Sequence, residues 1–291
     1  MGKLYVVATP IGNLSDISQR ALDTLENVNL IAAEDTRRTI KLLNYFDIKT
    51  PIISNHKYNE LNRGEELASR IINDGIDIAV VSDAGTPCIA DPGSAIVRSA
   101  REHDIEVIAI PGPSAVVSAL SVSGFYFDSF SFLGFIPRDK KSKEKYFKTI
   151  NESPIKTFVL FESPNRIAPS VKDLMAVFPS CDLLVINDIT KFHEKSYSGK
   201  IGEVLDRLNS EKNTELGEYT IVLQKNAQDD DKPGDDATPD VPSIESLIID
   251  EMIKNDCDFK SAMEFVKSKN PSLGKKEIYR ASLNIKKLFE N

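Results

Sequence analysis

The stretch from Ile78 to Gly93, IAVVSDAGTPCIADPG, constrains the fold more than any other part of the chain. Ile78, Ala79, Val80 and Val81 run without the alternation of a half-solvated strand, which is the pattern of a strand buried on both faces of a parallel sheet. The run stops at once in Ser82-Asp83-Ala84-Gly85-Thr86-Pro87, a loop dense in Asp, Gly and Pro. In open α/β sheets ligands sit outside the carboxyl ends of the strands. Asp83 is therefore in position to accept hydrogen bonds from a ligand, Gly85 lets its backbone come close, and Thr86 offers a hydroxyl. An ordinary strand-to-helix turn has the same composition, so the stretch gains its meaning from the rest of the chain.

Leu4 to Ala8 repeats the pattern and ends in Thr9-Pro10-Ile11-Gly12-Asn13-Leu14. A helix follows, with Ile17, Ala21, Leu25 and Val28 at helical spacing and Asp16 or Ser18 as its cap. Leu30 to Ala33 reads as a strand that delivers Glu34-Asp35-Thr36-Arg37-Arg38, either a substrate-facing cluster or the solvated first turn of a helix from Thr39 to Phe46. Pro51 to Ser54 is a short strand. Glu60 to Asn73 is a helix with Leu61, Ala68, Ile71 and Ile72 inward and Gly75 as its stop. After the opening stretch come a helix (Ser94 to His103), a strand (Glu106 to Ile110) and a third structured loop, Pro111-Gly112-Pro113-Ser114-Ala115. This alternation predicts a parallel sheet in a first α/β domain, residues 1–115. Three of its strands end in Gly/Pro loops, which predicts a pocket where they converge.

The second half reads differently. Phe130 to Phe135 is an aromatic strand, and Arg138, Lys140, Lys141, Lys143, Lys145 and Lys148 follow with Asp139 and Glu144 against them. Such a patch neutralises phosphates or forms a solvated face, and Tyr146 and Phe147 beside it are of the type that stacks on bases. Strands at Thr157 to Phe161, Leu183 to Ile186 and Tyr219 to Leu223 enclose two polar clusters, Glu162 to Arg166 and Thr190 to Glu194. These make a second α/β domain, residues 116–225. Residues 226–241, NAQDDDKPGDDATPDV, hold six Asp and two Pro with almost nothing apolar, bury too little to fold and read as an acidic linker. Residues 242–291 carry three helical patterns: Ile244, Leu247, Ile248 and Met252; Ala262, Met263 and Val266; Ile278, Ala281, Ile285 and Leu288. The third bears Lys275, Lys276, Arg280, Lys286 and Lys287 against Glu277. It forms a helix-turn-helix-like module, for nucleic acid or for capping and dimerisation.

Composition removes several classes. In 291 residues, 41% of them hydrophobic, the net charge is −8, so a polyanion has to be met by a local patch rather than a basic coat. The three cysteines form no CxxC, and an odd count suits a reducing cytoplasm. No secretory signal is visible, and no run of about 18 apolar residues suggests a membrane span. A P-loop, GxGxxG, HExxH, GxSxG and the kinase set are all missing, and His56, His103 and His193 have no metal-ligand spacing, so no metal is expected.

LYVVATPIGNLSDIS (Leu4 to Ser18), AEDTR (Ala33 to Arg37), SDAGTP with ADPG (Ser82 to Gly93), IPGPSA (Ile110 to Ala115), FLGFIP (Phe132 to Pro137), FESPNRI (Phe161 to Ile167), ITKFHE (Ile189 to Glu194) and GEYTIVL (Gly217 to Leu223) stand in this order. Together they closely resemble the bacterial ribosomal RNA small-subunit methyltransferase I family. Two departures are Asn165, where the family usually has His, and Asn187, where it usually has Arg. The resemblance implies the tetrapyrrole-methylase fold of class III methyltransferases, with S-adenosylmethionine held between two α/β domains. It also implies a homodimer that methylates the ribose 2′-oxygen of a cytidine in the decoding region of 16S rRNA, in the small ribosomal subunit.

Carried over by the same resemblance, Pro10, Gly12, Asp83, Gly85, Thr86, Ser114, Ala115, Phe161 and Glu162 hold the cofactor. A ribose hydroxyl needs help to lose its proton, so Glu34, Asp35, Asp91 and Glu194 are candidate acceptors, with Arg37 and Lys191 as further catalytic candidates that clamp the substrate. Arg138, Lys141, Lys145, Arg166, Lys275, Lys276 and Arg280 are the candidate nucleic-acid contacts. Two other readings remain: a methyltransferase of the same fold acting on a porphyrin-like macrocycle, and a non-catalytic RNA-binding assembly factor.

Overall fold

The buried apolar runs of the first hundred residues become strands because each places side chains on both faces of one sheet. β1 (Leu4–Val7), β2 (Leu30–Ala33), β3 (Ile52–Ser54), β4 (Ile78–Val81) and β5 (Val107–Ile110) pair in the order β3-β2-β4-β1-β5. Every pair is parallel. Leu4, Ile78 and Val80 face α3 (Glu60–Asn73) and α4 (Ser94–Glu102), packing with Leu67, Ile71 and Ile96. Val7, Ile31, Ala79 and Val81 face α1 (Gln19–Asn27) and α2 (Thr36–Tyr45), packing with Ala21, Leu25 and Leu43. This is the three-layer arrangement that a non-alternating strand demands. The structure is a computed structural model describing residues 2–211, 216–226, 244–255, 257–270 and 273–289, without the side chains of 275 and 286–289.

Two expectations about these helices need correction. Helix α2 begins three residues before Thr39, because Asp35 caps it by accepting the Arg37 N–H, so Thr36, Arg37 and Arg38 form its first turn. In α3, Leu61 is 79% exposed and Ile72 is also exposed; Leu67, Ala68 and Ile71 make the buried stripe.

The second sheet is mixed, in the order β6 (Phe130–Phe135), β7 (Thr157–Glu162), β10 (Tyr219–Gln224), β8 (Asp182–Asn187) and β9 (Lys195–Lys200). β6 runs parallel to β7, and the other pairs are antiparallel. One face packs Phe158, Leu160, Val185 and Ile221 against α6 (Lys140–Glu152), α7 (Ile167–Val177) and α8 (Ile201–Ser210). The other packs Val159, Leu184, Ile186 and Val222 against α5 (Ala115–Ser121). The boundary expected at 115 falls on the first residue of α5, the helix that covers the second sheet.

Strand β9 is absent from the sequence reading. Its residues, KSYSGK, bury Tyr197 and otherwise face water, because β9 is an edge strand. Lysines at both ends suit such an edge.

The chain divides into two compact units, Met1–Asn226 and Ala227–Asn291. In the second, α9 (Ile244–Asn255), α10 (Phe259–Lys269) and α11 (Lys275–Phe289) share a core of Ile248, Ala262, Val266, Ile278, Ala281 and Ile285. The expected acidic linker lies outside the described residues except for Asn226, as does the Leu288 side chain. No described helix is long and apolar enough to cross a membrane.

Candidate active site

At the carboxyl end of the parallel sheet the three Gly/Pro loops are tied to one another. Thr9 and Gly85 exchange backbone hydrogen bonds of 2.9 and 3.0 Å, and the Thr9 hydroxyl donates to the Ser82 carbonyl at 3.2 Å. The Thr86 hydroxyl donates to the Pro113 carbonyl at 3.3 Å. Glu60, from α3, accepts the N–H groups of Gly93 and Ala95 and so fixes the start of α4 where Gly93 offers no side-chain cap. A loop from the second sheet is fitted onto this frame. A Cβ added to Gly12 would stand 2.5 Å from Lys191 Cγ and 2.9 Å from the Ile189 carbonyl oxygen. Only glycine admits so close an approach.

Between the two sheets lies a cavity of about 290 Å³, at the small end of the range of about 300–1,000 Å³ for ligand pockets. The first sheet supplies Ile11, Ala84 to Thr86 and Ile89 to Asp91; α5 and the residue before it supply Ser114, Ala115 and Val116. The second sheet supplies Phe135, Phe161 to Pro164, Ile189 and Gly217 to Thr220. Of the cofactor residues expected from sequence, Gly85, Thr86, Ser114, Ala115, Phe161 and Glu162 line this cavity. Pro10, Gly12 and Asp83 do not: they belong to the loops behind it. Asp91 is the single lining residue among the catalytic candidates.

Two segments escaped the sequence reading for the same reason. Ligand positions are sought where strands end, yet β10 is antiparallel to β7 and brings its beginning, Tyr219, opposite Glu162. Phe135 reaches the wall through an irregularity in β6 that no periodicity reveals.

The acids fall into two electrical kinds. Asp35 is partly exposed, and its hydrogen bonds from Arg37 hold its carboxyl down at about 2. Glu34, Asp83 and Asp91 are raised above the ordinary carboxylate range, first by burial. Mutual repulsion adds to it: Asp83 and Asp91 act on Glu34, and Asp83 acts on Asp91. Asp83 accepts the Asp35 N–H at 3.0 Å and pairs with Arg38 at 3.4 Å, while its own N–H donates to Glu34 at 3.2 Å. It thus joins the loops after β2 and β4.

Several charged candidates are engaged within their own loops. Arg37 folds back on Asp35 at 2.7 Å. Burial pulls the Lys191 ammonium down, but bonds to Asp188 and Glu218 outweigh it and the net shift is upward. Glu194 accepts the Thr190 N–H at 2.6 Å. Arg166, expected as a nucleic-acid contact, is three-quarters buried and bonds Glu162, the Ile136 carbonyl and the Ser163 hydroxyl. The Glu162 carboxylate has 0% exposure and also accepts from the Ser163 N–H and the Ser170 hydroxyl. It ties the end of β7 to α7.

On α6 the cations divide. Lys143 pairs with Asp173, Lys140 with Glu144 and Lys148 with Glu152. Arg138, Lys141 and Lys145 are exposed and make no ion pair among the described residues. In the second unit Lys276 and Arg280 are exposed on α11, and the Lys275 side chain lies outside the described residues.

The family model of Tetrapyrrole (Corrin/Porphyrin) Methylases matches residues 3–205. A protein of Escherichia coli O157:H7 named ribosomal RNA small subunit methyltransferase I is 41% identical over 236 residues, covering 80% of this chain and 82% of that one. Its namesake in Thermotoga maritima is 42% identical over 223 residues, covering 77% and 98%. A solved structure of uroporphyrin-III C-methyl transferase from Thermus thermophilus, complexed with S-adenyl homocysteine, superposes with a TM-score of 0.52 at 13% identity, covering 77% of this chain and 97% of that one. The shared fold is the one described above. The chain belongs to the tetrapyrrole methylase family and, within it, to the ribosomal RNA small subunit methyltransferase I family.

Proposed function

We propose that this protein is an S-adenosylmethionine-dependent methyltransferase of small-subunit ribosomal RNA. Its acceptor is the ribose 2′-oxygen of a cytidine in the decoding region, and it works in the cytoplasm as a homodimer. The observation that carries the RNA assignment is the close likeness, near 40% over four-fifths of the chain, to several proteins of that name. The geometry agrees: Arg138, Lys141 and Lys145 stand free at the foot of the strand whose last residue lines the cavity. The homodimer is supported by exposed apolar side chains at Val117, Val122, Tyr126, Phe127 and Phe130.

The cavity suits the cofactor in chemistry and in sign. Its walls are mostly apolar, with hydroxyls at Thr86 and Ser114, and Asp91 faces it with Asp83 and Glu34 behind, which favours a cationic sulfonium. Gly85, Thr86, Ser114, Ala115 and Phe161 hold the cofactor, while Pro10, Gly12 and Asp83 fix the loops that carry them. When bound, S-adenosylmethionine supplies an electrophilic methyl carbon.

The protein's own task is to orient the ribose hydroxyl and take its proton. Asp91 is the acceptor: it lines the cavity, and burial has moved its carboxyl upward toward the range in which a carboxylate is a useful base. Asp83, whose own N–H is held by Glu34, adds to the upward shift through its charge, and Asp35, Arg37, Lys191 and Glu194 hold the surrounding loops. Arg138, Lys141 and Lys145, with Lys275, Lys276 and Arg280 of the C-terminal helices, meet phosphates.

The test is methyl transfer from labelled S-adenosylmethionine to small ribosomal subunits, free rRNA and a porphyrinogen in parallel. Label in an alkali-resistant dinucleotide containing cytidine is expected, since a 2′-O-methyl group blocks cleavage at that ribose. Label in the macrocycle alone would overturn the substrate and leave the cofactor site standing.

A further inference from the structure

Phe135 is 60% exposed although it belongs to a cavity wall. Its position there is built rather than incidental. β6 follows β7 in regular parallel register through Phe130↔Thr157, Ser131↔Phe158 and Phe132↔Val159, and then one extra residue intervenes before Phe135↔Phe161. Strand alternation would put residue 134 on the face shared by Phe130 and Phe132. The bulge gives that place to Phe135 instead, and Gly134 absorbs the turn at φ +69° with open space around it.

The ring so aimed is braced. Phe161 meets it edge-on with centroids 5.5 Å apart, and Phe132 meets Phe161 in the same manner at 4.8 Å. The Tyr146 hydroxyl of α6 approaches the Gly134 carbonyl at 3.4 Å, linking the bulge to the helix that carries Lys141 and Lys145. Arg138 follows three residues after Phe135. A held aromatic surface open to solvent thus lies between the cavity and the free cations of α6.

We propose that Phe135 is the stacking platform for a base of the RNA substrate, placed beside the nucleotide whose ribose enters the cavity, while Arg138, Lys141 and Lys145 hold the neighbouring phosphates. Single-stranded RNA is recognised by this pairing of aromatic faces with backbone cations. The inference rests on RNA being the substrate.

The experiment compares the full-length protein with Phe135→Ala and Phe135→Trp in three measurements: binding of a short fluorescein-labelled single-stranded rRNA fragment over a salt series, binding of S-adenosylmethionine, and KM and kcat for methyl transfer to small subunits. Phe135→Ala should weaken RNA binding and raise KM about tenfold. It should leave the salt slope unchanged, because no phosphate contact is lost, and weaken cofactor binding far less than RNA binding. Phe135→Trp should restore binding. Unchanged RNA affinity and KM in the alanine variant would overturn the platform while the proposed function stands. Loss of cofactor affinity alone would also overturn it and give the ring to the cofactor. RNA binding that depends on Phe135 without methyl transfer to rRNA would uphold the platform and overturn the proposed reaction; no RNA binding by the wild type would overturn both.

Discussion

Glu162 and Asp91 are carboxylates beside one cavity, and their surroundings are opposite. Glu162 is fully buried, yet it has an arginine, two hydroxyls and a backbone N–H around it. Asp91 is about half-buried and has acids nearby, Asp83 and Glu34, with the Ser82 hydroxyl as a hydrogen-bond partner. A buried charge that is fully partnered fixes a fold, whereas one left under repulsion is free to exchange a proton. The difference separates scaffold from chemistry more clearly than burial does.

Breaking the scaffold side should give the largest effect. Arg166→Ala leaves the Glu162 carboxylate buried without its cation and should cost about 3 kcal/mol in urea unfolding. Changing Glu162 to Gln in the same background should recover part of it. A loss well under about 1 kcal/mol would mean that the pair is not the brace described here.

On the chemical side, Asp91→Asn should lower kcat about a hundredfold in a protein that still folds and still binds the cofactor, though less tightly for the lost charge. Full kcat in a folded variant would remove Asp91 as the acceptor. Gly134→Ala, at a positive φ with room for the methyl group, should cost about 1 kcal/mol of stability through strain alone. It should also reproduce part of the Phe135→Ala defect in RNA affinity. A wild-type affinity would show that the ring does not depend on the bulge.

The smallest effect is on pH dependence, and its sign differs between the two kinds of acid. The folded carboxyls of Glu34, Asp83 and Asp91 are raised, so the native state binds protons that the unfolded chain has released. Their contribution to stability is present below the unfolded value of about 4 and is lost as pH rises through the folded values. Glu34→Gln should therefore stabilise the protein slightly at neutral pH, with the gain vanishing on acidification. Asp35 behaves oppositely: its stabilisation exists above the unfolded value and is lost as pH falls toward about 2. Thermal melts of wild type and Glu34→Gln across acidic to neutral pH would check the sign, and a gain that grew on acidification would refute the repulsive cluster.

The parallel sheet was legible because its inner strands β2 and β4 are buried on both faces, which gives the unbroken LIAA and IAVV runs between helical patterns. β9 was illegible because an edge strand with one buried residue, Tyr197, carries no apolar signal. The cavity was half legible. Gly85, Thr86 and Ser114 sit where strands of a parallel sheet end, but Gly217 to Thr220 enter from the start of an antiparallel strand, and Phe135 enters by a bulge. Charge pairing was the least legible. Arg166 and Lys191 read as open cations until the structure gave them Glu162 and Asp188, partners three or four residues away whose orientation no spacing rule fixes.

Gly12 contributes no atom to the cavity wall, yet it governs how closely the two walls approach. The Ile189 to Lys191 segment rests where a Cβ would be, so a single methyl group at position 12 would act as a spacer between the loop after β1 and the loop after β8. Ile189 belongs to the lining, and the displacement would pass directly to it. The bore of the binding site is therefore gauged from outside, by a residue that whatever is bound there never meets.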